Sequence, residues 1–251
     1  MINILKGENI INLDLTKEKV DLISINCVNP EESVKALEYS SKNIKFNNVL
    51  LFTHESITHS FIDIIKIDRL SNIRLYNNFI LSLNNFIESD FVLLIQDDGH
   101  VVNSNLWQKE FLNFDYIGAP WPASKNWLKR WDKYEETEAK TIKRNFKMNR
   151  VGNGGFSLRS KKFLEYSSQF SECGQFSEDI FLTVLNYEVA VKNNINFPAV
   201  ELAYSFSAEI PLKGKELKKE NKKSKIYDFT KHFGWHGKRF ENSSKLMNLK
   251  K

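Results

Sequence analysis

The sequence predicts an α/β protein: a mixed, mostly parallel sheet with helices on both faces. Three observations lead there. Apolar runs are of strand length, as in "VDLISIN" (20–26) and "FVLLI" (91–95). Residues 71–87 carry one clean helical apolar face. The two kinds of segment alternate along the first half of the chain, as they do when parallel strands are joined by crossing helices.

The elements follow in order. "VDLISIN" is a mostly apolar strand. "NPEESVKALEYSSKNI" opens the first helix: Asn29 suits the cap, Pro30 the first turn, and Glu31 and Glu32 the positive end of the helix dipole. "NVLLFT" (48–53) is the next strand, and "FIDIIKI" (61–67) alternates enough to be a third. Ser71 is expected to cap the second helix, in which Ile73, Tyr76, Phe79, Ile80, Leu83, Phe86 and Ile87 recur at three- and four-residue steps. "FVLLI" then reads as a strand buried on both sides.

After it the order loosens. "NLWQKEFL" reads as a short helix, and "FDYIGAPWP" (114–122) as a strand entering a Pro/Trp turn. Residues 126–150 are polar and read as a mobile insert. "GGFSLRS" (154–160) is a strand followed by a helix from Lys161, and Ser177 is expected to cap "EDIFLTVLNY". No repeat or linker divides the chain, so one domain is expected, with its core over about residues 20–240.

Composition narrows the class. With 251 residues and 41% hydrophobic content the chain can bury a sizeable core without staples. Two distant cysteines, Cys27 and Cys173, make no disulfide framework and suit a reducing cytosol. "MINILKGENI" lacks the pattern of a signal peptide, and no apolar run is long enough to span a bilayer. A cytoplasmic protein is expected, with the inner membrane face as an alternative site. The net charge of +5 comes from 36 basic and 31 acidic residues. Much of the excess lies in "KGKELKKENKKSK" (213–225), which reads as a solvated, mobile segment with at most peripheral contact to an anionic membrane. The charge is mild and no nucleic-acid motif is present. The oligomeric state is left open.

The chemistry concentrates at "LLIQDDGHVV" (93–102), where Asp97, Asp98 and His100 follow an apolar strand. Ligands of open α/β sheets bind beyond the carboxyl ends of the strands. Adjacent carboxylates in such a crevice gain most from a divalent cation, and hard cations combine one or two carboxylates with phosphate oxygens. Taken alone, "DDGH" reads slightly better as a polar turn with Gly99 at positive φ. Its company shifts the balance. "VGNGGFSLRS" sets Gly152, Gly154 and Gly155 around Asn153, which suits close backbone approach to a ligand or a tight turn. "SEDIF" sets Glu178 and Asp179 in a first helical turn, where acids also serve the dipole. "HFGWHG" holds His232 and His236 beside Trp235.

In order, "QDDG", "YIGAPWP", "VGNGGFSLRS", "SEDIF", "FSAE" and "FGWHG" resemble the motifs of a bacterial domain-of-unknown-function family classed with GT-A-type glycosyltransferases. The resemblance runs from about residue 20 to 237. It implies a single GT-A-like domain that moves a sugar from a nucleotide-diphosphate sugar to a hydroxyl of a glycan or lipid-linked acceptor, inverting and metal-assisted, in bacterial surface polysaccharide assembly. By that resemblance Asp98 and His236 are metal ligands for Mn2+ or Mg2+, and Asp179 is the general base. Asn26, Asp97, Asp98, Asn153, Gly154, Gly155 and Glu178 are donor-binding, and Trp121 stacks on an acceptor ring. The chain departs from a strict D-x-D: Gln96 stands where the first Asp would be. Asp97 and His100 fill slots expected to be aromatic. Two other readings compete: a metal-dependent hydrolase of nucleotide or phosphorylated ligands, and a non-catalytic sugar-binding module using "WPASKNWLKRW".

Overall fold

In the computed structural model, residues 13–212 and 231–237 are described. Strands β1 (Val20–Ile25), β2 (Val49–Thr53), β3 (Asp63–Lys66), β4 (Phe91–Ile95), β5 (Tyr116–Gly118) and β6 (Phe156–Ser160) form one sheet in the order β3-β2-β1-β4-β6-β5. The first four are parallel, and β6 runs antiparallel to both its neighbours. This is the α/β, mostly parallel sheet that the sequence predicts.

The central strands explain their own composition. Every residue of β1 is buried, and β4 is buried from Val92 onward. Side chains alternate between faces along a strand. Val20 and Leu22 therefore join Leu93 and Ile95 in one core, while Ile23 and Ile25 join Val92 and Leu94 in the other. Helix α1 (Pro30–Ser41) closes the first core with Val34 and Leu37. Helix α2 (Ile73–Leu81) closes the second with Ile80. A strand covered on both faces must be apolar throughout, which is why "FVLLI" shows no alternation.

Helix ends differ in detail from expectation. Asn72, not Ser71, caps α2, its side chain accepting from Leu75 N–H at 3.0 Å. Asn29 holds the cap position of α1 without a side-chain bond; Asn26 Oδ1 accepts from the Val28 and Asn29 N–H groups instead. "NLWQKEFL" resolves into two short 3-10 turns, Ser104–Leu106 and Lys109–Asn113.

The polar segment 126–150, read as an insert, is a packed helical unit. It contains α3 (Glu136–Asn145), and its sparse apolar residues Trp131, Ile142 and Phe146 dock with Trp121, Phe176, Ile180 and Val184. Segment 213–225 lies outside the described residues.

A second, three-stranded sheet flanks the first. Ser207–Ala208 pairs parallel with Gly234–His236, which pairs antiparallel with Gly99–Val101. Its function is positional: it lays the chain's C-terminal "FGWH" directly beside the tip of β4.

Candidate active site

The strand order reverses between β1 and β4, and their carboxyl ends carry Asn26 and Gln96-Asp97-Asp98. That is the switch point at which open α/β sheets leave a crevice. A cleft of ≈ 380 Å³ opens there, lined by Asn26, Cys27, Val28, Asn72, Tyr76, Gln96 and Asp97 among others. A larger groove of ≈ 1130 Å³ lies elsewhere, between the second half of α1, residues 43–49 and Phe61, and holds none of the predicted site residues. The smaller cleft is therefore the candidate.

At its floor the tip of β4 turns sharply. Gly99 N–H donates to the Gln96 carbonyl at 2.9 Å, and Gln96 N–H donates to the Gly155 carbonyl at 2.9 Å. Gly99 is not among the positive-φ glycines, contrary to the polar-turn reading. It is small because a Cβ there would lie 2.6 Å from the Gly155 carbonyl oxygen.

Asp98 faces His236. His236 Nε2 lies 3.1 Å from Asp98 Oδ1 and 3.1 Å from Gln96 Oε1. Burial acts to raise the Asp98 carboxyl, but the hydrogen bond and charge of His236 outweigh it and hold it below the ordinary carboxylate range. Burial acts to lower His236, but Asp98, then Glu209 and Asp179, hold it above the ordinary imidazole value. Asp97 is exposed on the cleft rim. His100 is buried and edge-on to Tyr39, with ring centroids 5.5 Å apart. Burial pushes its imidazole down to about 4. It is a neutral core histidine. His232 is buried too, 3% exposed and bonded through Nδ1 to the Tyr204 carbonyl.

The tripeptide Asn153-Gly154-Gly155 is the hub of the site. Asn153 Nδ2 donates to Glu209 Oε2 at 3.1 Å. Gly154 N–H donates to Asp179 Oδ2 at 3.2 Å. The His236 ring lies over Gly155, where a Cβ would meet Nε2 at 2.1 Å. A Cβ on Gly154 would meet Glu178 Oε1 at 2.5 Å. These glycines let functional side chains, rather than a ligand, approach the backbone. None has positive φ.

Glu178 and Asp179 open the short helix α4 (Glu178–Ile180), which continues as a π-helical turn at Phe181–Leu185. Such turns recur at functional sites. Ser177 does not cap the backbone; its hydroxyl donates to Asp179 Oδ1 at 2.5 Å, which also accepts from Ile180 N–H at 2.7 Å. Asp179 is half-buried. Glu178 turns inward, its Oε1 accepting from Arg159 Nη2 at 2.9 Å with side chains 5% and 0% exposed. Burial pushes Glu178 up while Arg159 pulls it back. Burial works against the Arg159 charge, and Glu178 more than compensates, holding it protonated.

Two further placements matter. Trp121 is 4% exposed and stacks on Phe146, so its faces are packed against protein rather than offered to an acceptor. Glu209, to which the sequence assigns no role, is bonded to Asn153 and stands near His236, Asp179 and Asp98. Burial pushes its carboxyl up, with His236 opposing. Its signal was its place in "FSAE".

Two ligands at right angles on an ion about 2.1 Å from each stand about 3 Å apart. His236 Nε2 meets that spacing both to Asp98 Oδ1 and to Gln96 Oε1. The donor set, one imidazole and two oxygens, suits Mn2+ or Mg2+ with phosphate oxygens completing the shell. Among the described residues no cluster of three or more His, Cys, Asp and Glu side chains could hold a metal unaided.

Fold and site together define an α/β protein with a cleft at the sheet's switch point, edged by Gln96 and Asp97, and beside it an Asp98–His236 pair with Asp179 and Glu209 nearby. The chain belongs to the family described as "Protein of unknown function (DUF5672)", whose model matches residues 60–224. No curated protein matches the sequence. Among solved structures it is similar to a mannosyltransferase from Pyrobaculum calidifontis in complex with GDP-Man and Mn2+, at 10% identity and a TM-score of 0.43. That alignment covers 72% of this chain and 55% of the mannosyltransferase, so the chain spans about half of that protein's length. It is also similar to the galactosyltransferase LgtC in complex with donor and acceptor sugar analogues, at 14% identity and a TM-score of 0.46, covering 91% of this chain and 94% of that one.

Proposed function

We propose that the protein is a metal-assisted, inverting glycosyltransferase that uses a nucleotide-diphosphate sugar. The observation that carries this reading is the convergence, next to the switch-point cleft edged by Gln96 and Asp97, of the Asp98–His236 pair and Asp179 on one backbone turn, Asn153–Gly155. The acceptor is a hydroxyl of a glycan or lipid-linked oligosaccharide, in the surface-polysaccharide setting that the motif resemblance implies. No helix among the described residues is long and apolar enough to cross a membrane.

The residues divide the work. Asp98 and His236, with Gln96 Oε1 alongside, would hold Mn2+ or Mg2+, which neutralises charge on a departing nucleoside diphosphate. The cleft between Asn26, Val28 and Tyr76 receives the nucleoside, with Asp97 at its rim. Asp179 takes the proton of the acceptor hydroxyl as that oxygen attacks the anomeric carbon. The sugar passes through an oxocarbenium-like state, and attack opposite the leaving group inverts the centre. Gly154 N–H and Ser177 Oγ fix the Asp179 carboxylate, and Glu178 braces Gly154 from behind.

The test is thermal stability against UDP, GDP, CMP and dTDP, each with Mn2+ and then EDTA, followed by product analysis with the matching nucleotide sugar. A ligand that binds only the folded state raises stability with the logarithm of its saturation. The expected result is an EDTA-sensitive shift with one nucleotide and an acceptor-linked product. No shift with any nucleotide would favour a binding module. Sugar release without an acceptor-linked product would favour a hydrolase.

A further inference from the structure

The second sheet brings three chain segments to one end. Ala208 pairs with Trp235, so Glu209 follows in register beside His236; His236 pairs with Gly99, next to Asp98. Gly237 N–H donates to the Asp98 carbonyl at 3.0 Å, which closes the row. The sheet thus brings Glu209 and Asp98, each one residue beyond a strand end, near His236, with Asp179 reached through the Asn153–Gly154 turn.

Glu209 is a carboxylate of this row with acceptor capacity to spare. Asp179 accepts from Ser177, Ile180 and Gly154. Asp98 faces His236. Glu209 is partly buried, and its one hydrogen bond among the described residues comes from Asn153 Nδ2. A carboxylate offers about four acceptor sites. The other Glu209 oxygen is not sealed inside the protein, so an incoming donor can reach it. A phosphate offers no donors and would be repelled by Glu209 and Asp179 together. Sugar hydroxyls offer donors without charge.

We infer that Glu209, oriented by Asn153, accepts a hydroxyl of the transferred sugar and selects neutral, hydroxyl-bearing sugars over acidic ones. This deepens the transferase reading and rests on it. The phosphates lie toward Asp98 and His236, the acceptor toward Asp179, and the sugar ring between them lies against Glu209. The Asn153 amide holds Glu209 Oε2, which leaves the other carboxylate oxygen for the ligand.

The experiment compares wild type, Glu209→Gln and Glu209→Ala by titration calorimetry in Mn2+. The probes are UDP, GDP and dTDP alone, then UDP-glucose, GDP-mannose, dTDP-glucose and UDP-glucuronic acid. Glu209→Gln keeps the shape and an oxygen for Asn153. Both variants are expected to keep wild-type affinity for the nucleoside diphosphate that binds. They are expected to lose about 10- to 100-fold for its neutral sugar conjugate in Glu209→Ala, and less in Glu209→Gln, the range of a hydrogen bond to a charged group. The wild-type preference for UDP-glucose over UDP-glucuronic acid, or for the corresponding neutral conjugate, is expected to narrow in both. Equal sugar-conjugate affinity in all three proteins overturns the inference and leaves the transferase reading standing. Failure of wild type to bind any of the nucleotides overturns both. A loss equal for diphosphate and sugar conjugate would show that Glu209 merely supports the fold, and overturns the inference too.

Discussion

The Glu178→Gln substitution asks how the site is braced. Arg159 Nη2 and Glu178 Oε1 are 2.9 Å apart, and neither side chain is more than 5% exposed. Removing the Glu charge leaves a guanidinium inside the protein without a counter-ion. Breaking such a pair costs about 3–5 kcal/mol. The low end applies here, because Arg159 keeps its bond to Ser157 Oγ at 3.0 Å and its place over the Tyr116 ring at 5.3 Å, and glutamine still offers an acceptor. At about 2–4 °C per kcal/mol for a chain of this size, 3 kcal/mol lowers Tm by roughly 10 °C. Urea unfolding and a thermal scan followed by circular dichroism read both numbers. Replacing both members with apolar residues, Arg159→Met with Glu178→Met, is expected to return stability to within about 2 kcal/mol of wild type, since the desolvation cost disappears with the charges. A single-variant loss under about 1 kcal/mol would refute the argument: the pair would then be solvated, and Gly154 would not rest on a rigid support.

Other substitutions probe the remaining parts. Asp179→Asn should lower transfer about 100-fold or more while nucleotide binding by calorimetry stays intact; near-normal turnover removes Asp179 as the base. Asp98→Asn should abolish the Mn2+-dependent part of nucleotide stabilisation, read as Tm with and without EDTA, and an unchanged EDTA effect would place the cation elsewhere. In Gly155→Ala the new Cβ would sit 2.1 Å from His236 Nε2, so the ring must leave its position; metal-linked nucleotide binding should fall although far-ultraviolet circular dichroism is kept. His100 gives a pH dependence with a definite sign. Its imidazole is pushed down to about 4 from 6.5, so below pH 6.5 the unfolded chain binds a proton that the folded chain refuses. The contribution is whole above pH 6.5 and falls by about 3 kcal/mol by pH 4. His236 is shifted upward, so its contribution is whole below 6.5 and is lost as pH rises through its folded value. His100→Phe should flatten the acid limb of stability against pH in urea titrations, and an unaltered limb would mean that the ring is solvated.

The sheet was legible because a strand buried on both faces has to be apolar at every position, as β1 and β4 are, and α2 was legible because its buried stripe repeats with the helical period. Helix caps were less so: Ser71 and Asn72 are both competent, and only backbone direction chooses between them. Segment 126–150 looked unanchored because a few apolar residues in a polar stretch do not declare what they meet; Trp131, Ile142 and Phe146 gain meaning only against Phe176 and Ile180. The local composition of "QDDGH", "GNGG" and "SEDIF" marked Asp98, Asn153 and Asp179 as residues in need of a ligand or a partner. Which partner each has was decided by the tertiary structure. Glycines that suggested room for a ligand instead admit His236 and Glu178. Glu209 enters because strand register in the second sheet sets it beside His236. Sequence by itself determined which residues are buried in strands and helices, since burial follows from local period and polarity. Only the tertiary structure decided which carboxylates share one cleft, because that depends on strand order and register between segments far apart in the chain, and no local pattern encodes them.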